Sequence, residues 1–346
     1  MTSGVVVRAG DMGADRRLAI DTFVRYLNPH YDEARFDWVY GQNPHGRGRL
    51  WVATDHGGQT VVGIAAAFPR RMCVAGRDEV AWVLGDFCVS DAYRSVGPAL
   101  ALQRACLAEV TAGGVRFCYD FPSSGMMAVY RRLGVRPLGQ MVRLNRPLRV
   151  DARLRKIVGN TALTSGLGAI AGAMLAFRHR RRNGATGIEV ALHDAAFGAE
   201  FTDLYRGYTG HGTVMVERSA EYLNWRYRAN PVHRHEVMTA RRDGQLVGYA
   251  VFRQEETTAV LADLFTADGS AVVTDLVHGV AGLARQRGLA AVSISMLESS
   301  PWVPYLRQAG FTERETSPVV EYASPEAAAK VGDERAWLLL HGDRDS

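Results

Sequence analysis

Trp38-Val39-Tyr40-Gly41-Gln42-Asn43-Pro44 and Trp225-Arg226-Tyr227-Arg228-Ala229-Asn230-Pro231 are two versions of one heptapeptide. Three more matches occur in the same order. Gly58-Gln59-Thr60-Val61-Val62-Gly63 returns as Gly244-Gln245-Leu246-Val247-Gly248. Leu84-Gly85-Asp86-Phe87 returns as Leu261-Ala262-Asp263-Leu264. Ser123-Ser124, followed by Tyr130-Arg131-Arg132-Leu133-Gly134, returns as Ser299-Ser300, followed by Tyr305-Leu306-Arg307-Gln308-Ala309-Gly310. One match is chance; four collinear matches imply one unit present twice. The 346 residues then divide into a first copy over 1–149, a connector over 150–184 and a second copy over 185–346. A chain of this length has room for two cores. Because Trp-x-Tyr-x-x-Asn-Pro stands in both copies, its plainest role is structural, an aromatic core with a turn at Asn-Pro.

Each copy reads alike. A first strand (Val5–Arg8; Ile188–Leu192) precedes a helix (Arg16–Tyr26; Ala195–Tyr205), and a second helix carries the Trp-x-Tyr motif. Hairpins follow, Leu50–Thr54 with Val61–Phe68 and Glu236–Ala240 with Leu246–Arg253, each turned at glycine. Then come a strand (Val80–Val89; Ala259–Phe265), a long helix (Pro98–Ala112; Ser270–Gln286) and a strand (Val115–Phe121; Ala290–Ser295). Strand, helix, strand with a helix of this length is a βαβ signal. The fold class is therefore α/β, an α+β mixed sheet built twice.

Composition is that of ordinary globular protein, 47% hydrophobic and 22% charged. The net charge is +5, with a pI near 9.1, which raises nucleic acid or a membrane surface as partners. The placement of the charge narrows this. Residues 151–184 carry seven Lys or Arg against Asp151 alone, so the remainder is close to neutral. Nucleic acid is not expected at the two copies, and peripheral membrane contact is expected only through 153–182. Cys73, Cys88, Cys106 and Cys118 form no Cys-x-x-Cys pair. No secretory leader is read at the N-terminus, so they are expected as reduced, buried thiols in a cytoplasmic protein. His233-x-His235 lacks a third ligand at useful spacing, and no metal is expected. Gly166-x-Gly168-x-x-x-Gly172 follows no strand and is not a dinucleotide site.

The informative loop lies in the first copy. The strand ending at Val89 runs through Ser90-Asp91-Ala92-Tyr93-Arg94-Ser95-Val96-Gly97-Pro98-Ala99 into a helix. Small residues at such a junction expose backbone N–H groups to an anion, and the helix N-terminus adds positive partial charge. Gly97 permits close approach of the backbone, Arg94 adds charge, and Pro98 suits the first helical position.

Arg94-x-x-Gly97-x-Ala99, set between an apolar strand and a helix, resembles the coenzyme A loop of the GNAT N-acyltransferase superfamily. The likeness covers the first ~150 residues, within boundary errors of a few residues, and extends more weakly to the second copy. The layout is similar to tandem acyltransferases of the mycothiol synthase and surface-polysaccharide groups, and Trp337–Asp345 resembles the ending of the latter. The resemblance implies two tandem GNAT-like acyl-CoA N-acyltransferase domains. It implies acetyl-CoA or another acyl-CoA as donor, held by Cys88, Val89, Arg94, Ser95, Val96, Gly97, Pro98, Ala99 and Ser124. It also implies a small-molecule amine as acceptor, an amino sugar foremost, and Tyr130 as the acid that protonates the departing thiolate. The second copy has Thr266-Ala267-Asp268-Gly269-Ser270 at the loop position and is expected to have lost the cofactor.

Acyl transfer also needs a base for the amine. Asp86, Asp120 and Glu79 are the candidates on adjoining strands. Asp86 is favoured for its apolar surroundings, which raise a carboxyl pKa. Two other readings stay open: an aminoacyl-tRNA-dependent transferase of the same duplicated fold, and a non-catalytic acyl-CoA-binding module.

Overall fold

The computed structural model describes residues 5–58, 60–93, 96–148, 187–208, 213–267 and 269–345. The first copy supplies β1 (Val5–Ala9), α1 (Arg16–Tyr26), α2 (Glu33–Phe36), β2 (Arg49–Asp55), β3 (Val61–Val74), β4 (Arg77–Val89), α3 (Val96–Thr111), β5 (Phe117–Asp120), α4 (Ser124–Arg132) and β6 (Arg136–Pro147). The second supplies β7 (Ile188–Leu192), α5 (Ala199–Tyr208), β8 (Val214–Val216), α6 (Ala220–Leu223), β9 (Glu236–Arg242), β10 (Gln245–Glu255), β11 (Thr258–Thr266), α7 (Ser270–Gln286), β12 (Ala291–Leu297), α8 (Val303–Gln308), β13 (Thr312–Ala323), α9 (Pro325–Val331) and β14 (Trp337–Leu338).

The repeated element order matches the sequence reading, with small shifts. The helix expected from Pro98 begins at Val96, so Pro98 is its third residue. Its missing N–H is still among the four that a helix leaves unpaired at its start. Along α3, Ala99, Leu102, Gln103, Cys106, Leu107 and Val110 are buried, a three-and-four spacing that turns one face to the sheet. The expected second helix is one α-helical turn that widens into π-helical turns, at Asp37–Gly41 and at Asn224–Arg228. That widening carries Trp-x-Tyr in both copies.

The strands form one sheet with the order β1-β2-β3-β4-β5-β13-β6-β12-β11-β10-β9-β7. The last strands of the two copies change places. β13 of the second copy pairs antiparallel with β5 of the first, from Val320↔Asp120 to Ala323↔Phe117. β6 of the first copy pairs antiparallel with β12 of the second, from Ala291↔Pro147 to Leu297↔Met141. β8, from the second copy, also pairs with the edge of β3, Met72↔Val216 to Val74↔Val214. The chain boundary expected near 149 therefore falls inside a continuous hydrogen-bonded sheet.

The repeated tryptophans meet at the centre. Trp38 and Trp225 stack with ring centroids 5.0 Å apart. Trp38 Nε1–H donates to the Trp225 carbonyl at 2.9 Å, and Trp225 Nε1–H donates to the Trp38 carbonyl at 3.1 Å. The reading of this motif as aromatic core is right in kind, but its partner is the other copy.

Along the main sheet each copy has one parallel pair, and each of these pairs parts early. β4 and β5 are paired only at Trp82↔Cys118 and Val83↔Tyr119. β11 and β12 are paired from Thr258↔Ala291 to Leu261↔Ile294. A bulge in β4 places Asp86 and Phe87 opposite Ala65, and Asp86 takes φ +41°. Such a bulge re-aims side chains and ends regular pairing.

The connector and the contact expected through 153–182 lie outside the described residues. Among the described residues no helix is long and apolar enough to cross a membrane. All four cysteines are buried free thiols. Burial pushes Cys88 up to about 12 and raises Cys106, which leaves neither as a ready nucleophile.

Trp225→Ala removes both a buried ring and one of the two reciprocal hydrogen bonds. It is expected to cost about 3–5 kcal/mol. Urea unfolding should show the loss in one transition shared by both copies, because they share the sheet.

Candidate active site

The first copy opens where β4 leaves β5. A groove of about 450 Å³ lies there, lined by Tyr26, Phe87, Cys88, Val89, Val96, Ala99, Ser123, Gly125, Met126 and Val129. Four of the residues expected at the cofactor, Cys88, Val89, Val96 and Ala99, are in its wall. Pro98 is buried beneath and Gly97 is exposed at the helix start. Ser124, expected as a cofactor contact, is replaced in the wall by its neighbours Ser123 and Gly125. Ser123 is the N-cap of α4 and accepts from the Met126 N–H at 3.3 Å. Arg94 and Ser95 lie outside the described residues. The chemistry of this wall fits the pantetheine arm of a coenzyme A thioester: mostly apolar, with a helix N-terminus at one end. Gly63 serves the same packing, since a Cβ there would stand 2.5 Å from the Cys88 carbonyl and 3.2 Å from Leu102.

Beside the groove, Tyr130 follows Val129 on α4. Its hydroxyl donates to Asp120 Oδ2 at 2.6 Å and accepts from Gln103 Nε2 at 2.5 Å. Tyr130 is fully buried, and burial with the Asp120 charge holds its phenol well above 10. It therefore keeps its proton at neutral pH and is available as an acid. Asp120 ends β5. Burial pushes its carboxyl up to about 7, helped by Asp345 and opposed by the Tyr130 hydrogen bond. A carboxyl in that range exchanges protons near neutral pH.

Asp86, favoured from the sequence as the base, is engaged otherwise. Its Oδ1 accepts from Arg35 Nη2 at 2.9 Å. Its Oδ2 accepts from Arg35 Nη1 at 3.1 Å, from Tyr31 Oη at 2.7 Å and from Tyr40 Oη at 3.1 Å. Burial works against the Arg35 charge, but the charge of Asp86 and its hydrogen bonds more than reverse this. Both oxygens of Asp86 are thus taken by protein donors, which leaves no lone pair directed at an arriving amine. The repeat matches this reading: Asp263 pairs with Arg218 at 3.2 Å and accepts from Tyr249 Oη at 3.2 Å. Glu79 pairs with Arg116 at 3.0 Å. It sits seven residues before Asp86 on an extended strand, ~23 Å away, and leaves the list of base candidates.

Sequence reasoning singled out Trp337–Asp345 by resemblance but gave the segment after β14 no part in the site. Leu339 and Leu340 lie along β12, with Leu297 N–H donating to the Leu339 carbonyl at 3.0 Å and a bridge between Met296 and Leu340. Gly342 lies against β11; a methyl there would overlap the Tyr227 hydroxyl and meet the Ala262 carbonyl at 2.9 Å. This segment occupies the gap between the parting β11 and β12 of the second copy. Trp302 stands where Met126 stands in the first copy, and it is buried edge-on against Phe265. The second copy's cleft is thus filled by its own residues.

Beyond Gly342 the segment crosses to the first copy. Arg226 holds the Gly342 and Arg344 carbonyls, each at 2.9 Å. Tyr119 Oη donates to the Asp343 carbonyl at 3.1 Å. The Asp343 side chain pairs with Arg218 at 3.1 Å. Asp345 then reaches the β4 bulge, where its Oδ2 accepts the Asp86 N–H at 3.2 Å. Gly85 is needed for this approach, since a methyl there would overlap the Asp345 carboxylate. Among the described residues no group of three or more His, Cys, Asp and Glu side chains is arranged to hold a metal ion.

The raised Asp120 carboxyl has a stability signature. Its folded pKa of about 7 exceeds the ordinary 3.8, so the folded state binds the extra proton. The contribution is fully present below pH ~4 and is lost as pH rises through ~7. Asp120→Asn is expected to be insensitive to that loss. Melting curves should show its stability relative to the parent rising by a few kcal/mol between pH 4 and pH 8.

Comparisons with known proteins give the same fold. Residues 17–138 match the family model of the acetyltransferase (GNAT) domain. No curated protein sequence matches the chain. A GCN5-related N-acetyltransferase from Anabaena variabilis aligns with a TM-score of 0.63 at 14% identity, over 92% of this chain and 72% of that one. Saccharomyces cerevisiae N-myristoyltransferase with bound myristoyl-CoA aligns at 0.57 and 12% identity, over 94% and 85%. A fungal GCN5-related glucosamine N-acetyltransferase region, part of a multi-domain β-N-acetylglucosaminidase, aligns at 0.60 and 12% identity, over 93% of this chain and 38% of that one. Over residues 17–138 the chain is similar to the acetyltransferase (GNAT) domain, and over most of its length it shares the fold of GCN5-related N-acetyltransferases.

Proposed function

We propose that the first copy transfers an acetyl or other short acyl group from coenzyme A to the primary amine of a small molecule, and that the second copy is a scaffold without turnover of its own. The observation that carries this is the groove between β4 and α4, walled by Cys88, Val89, Val96 and Ala99 and adjoining the Tyr130–Asp120 pair. An amino sugar is the preferred acceptor class. The support is the likeness of fold to the fungal glucosamine N-acetyltransferase region.

The reaction follows from these groups. The neutral amine attacks the thioester carbonyl carbon, so a C–N bond forms and the C–S bond breaks. The nitrogen gives up one proton to a carboxylate, and the departing sulfur takes one from Tyr130. The Asp120 carboxyl, hydrogen-bonded to Tyr130 and titrating near 7, is placed to reprotonate the phenol. The net change moves one proton from nitrogen to sulfur.

Isothermal titration with acetyl-CoA is expected to show one site per chain. Gly97→Glu, which sets a carboxylate at the helix N-terminus where the pyrophosphate belongs, is expected to abolish that binding. Tyr130→Phe is expected to lower turnover ~100-fold or more with acetyl-CoA affinity unchanged. No heat of binding at high micromolar acetyl-CoA would sink the reading.

A further inference from the structure

Three carboxyls converge where β4 parts from β5: Asp86, Asp120 and Asp345. They are not equivalent. Both oxygens of Asp86 are engaged, by Arg35, Tyr31 and Tyr40. Both oxygens of Asp120 are engaged, Oδ1 by the Phe121 N–H at 2.7 Å and Oδ2 by Tyr130. Asp345 differs. Its Oδ2 accepts the Asp86 N–H, and its Oδ1 has no hydrogen-bond partner among the described residues. It also sits on the splayed side of the β4 bulge, one residue from Phe87 of the groove wall.

We propose that Asp345, supplied by the second copy's final segment, is the carboxylate that receives the acceptor amine and takes its proton. This rests on the acyltransfer reading above and names a base for it.

The surroundings explain how one carboxylate is kept ready. Arg218, 1% exposed along its side chain, anchors Asp263 and Asp343 together. Arg226 holds the backbone on both sides of Asp343. The segment is therefore fixed on the second copy before it reaches the first, which places the base without loop motion. The charged groups facing Asp345 come from both copies. Burial, and then the Asp86 charge, raises its carboxyl, while Arg35, the Asp86 N–H and Arg226 oppose the rise. Asp120 and Arg344 complete the ring around it. The neutral amine binds Oδ1, attacks the thioester carbon and gives one proton to Asp345 as the C–N bond forms and the C–S bond breaks. Tyr130 protonates the sulfur, and solvent restores both groups.

The assignment gives the second copy a chemical task. Its own cleft holds the segment in place of an acyl-CoA, and the segment finishes the first copy's site. A chain with two clefts then has one active centre.

The test uses the full chain, with acetyl-CoA as donor and thiol release as readout. The amine probes are glucosamine, ethanolamine, lysine and spermidine. Asp345→Asn keeps the acceptor of the Asp86 N–H and should fold as the parent does. It is expected to lower kcat ~100-fold or more, with acetyl-CoA affinity unchanged by titration. Its rate should then climb with pH through the range where the parent is flat, because amine deprotonation has lost its base. Asp345→Glu is expected to recover part of kcat. An Asp345→Asn enzyme with parental kcat and pH profile overturns the assignment while leaving the acyltransfer reading intact. A parent chain that neither binds acetyl-CoA nor releases thiol overturns both.

Discussion

The exchange of strands between the two copies constrains everything else in this molecule. β13 lies between β5 and β6, and β6 lies between β13 and β12. Neither copy can complete its sheet without the other, because each would be left with an unpaired edge. The Trp38–Trp225 pair closes the same interface on the helical side, with each indole N–H held by the other copy's backbone. A buried N–H without a partner is costly, so the two rings fix the copies in one relative position.

The two copies keep one buried pair and differ in the space beside it. Both copies keep a buried Asp–Arg pair on the strand that parts from its parallel neighbour: Asp86 with Arg35, and Asp263 with Arg218. An ion pair out of water needs its remaining hydrogen bonds satisfied to be tolerated. Tyrosine hydroxyls do this in each copy. What differs is the space beside the pair. In the first copy it is a groove bordered by Met126 and Gly125. In the second, Trp302 and the segment after β14 take up that space. Loss of the small-residue loop at Thr266–Ser270 and filling of the cleft are two aspects of one change.

The proton chemistry proposed for the first copy draws on burial rather than on unusual residues. Tyr130 and Asp120 share a hydrogen bond at the mouth of the parallel pair, where strand divergence leaves carboxyl and phenol without bulk water. Desolvation raises both, so one stays a proton donor and the other titrates near neutral pH. Asp86 is as deeply placed, yet its oxygens are taken up by Arg35 and by two tyrosine hydroxyls.

The sequence by itself determined the duplication, the α/β class, the order of elements and the loop that opens α3. These depend on local pattern: apolar periodicity, glycine at turns, and short motifs repeated in the same order. It also brought Tyr130 and Asp120 onto one short list. It did not determine which carboxylate is free, because that depends on cations and hydroxyls more than forty residues away: Tyr31, Arg35 and Tyr40 on Asp86. Nor did it reveal the strand exchange, since β6 and β13 look the same in sequence whichever copy they join. The arrival of Asp345 beside Gly85, across some 260 residues of chain, is decided only by tertiary packing. Backbone carbonyls held by Arg226 and Tyr119 steer it there, and a carbonyl has no signature in the sequence.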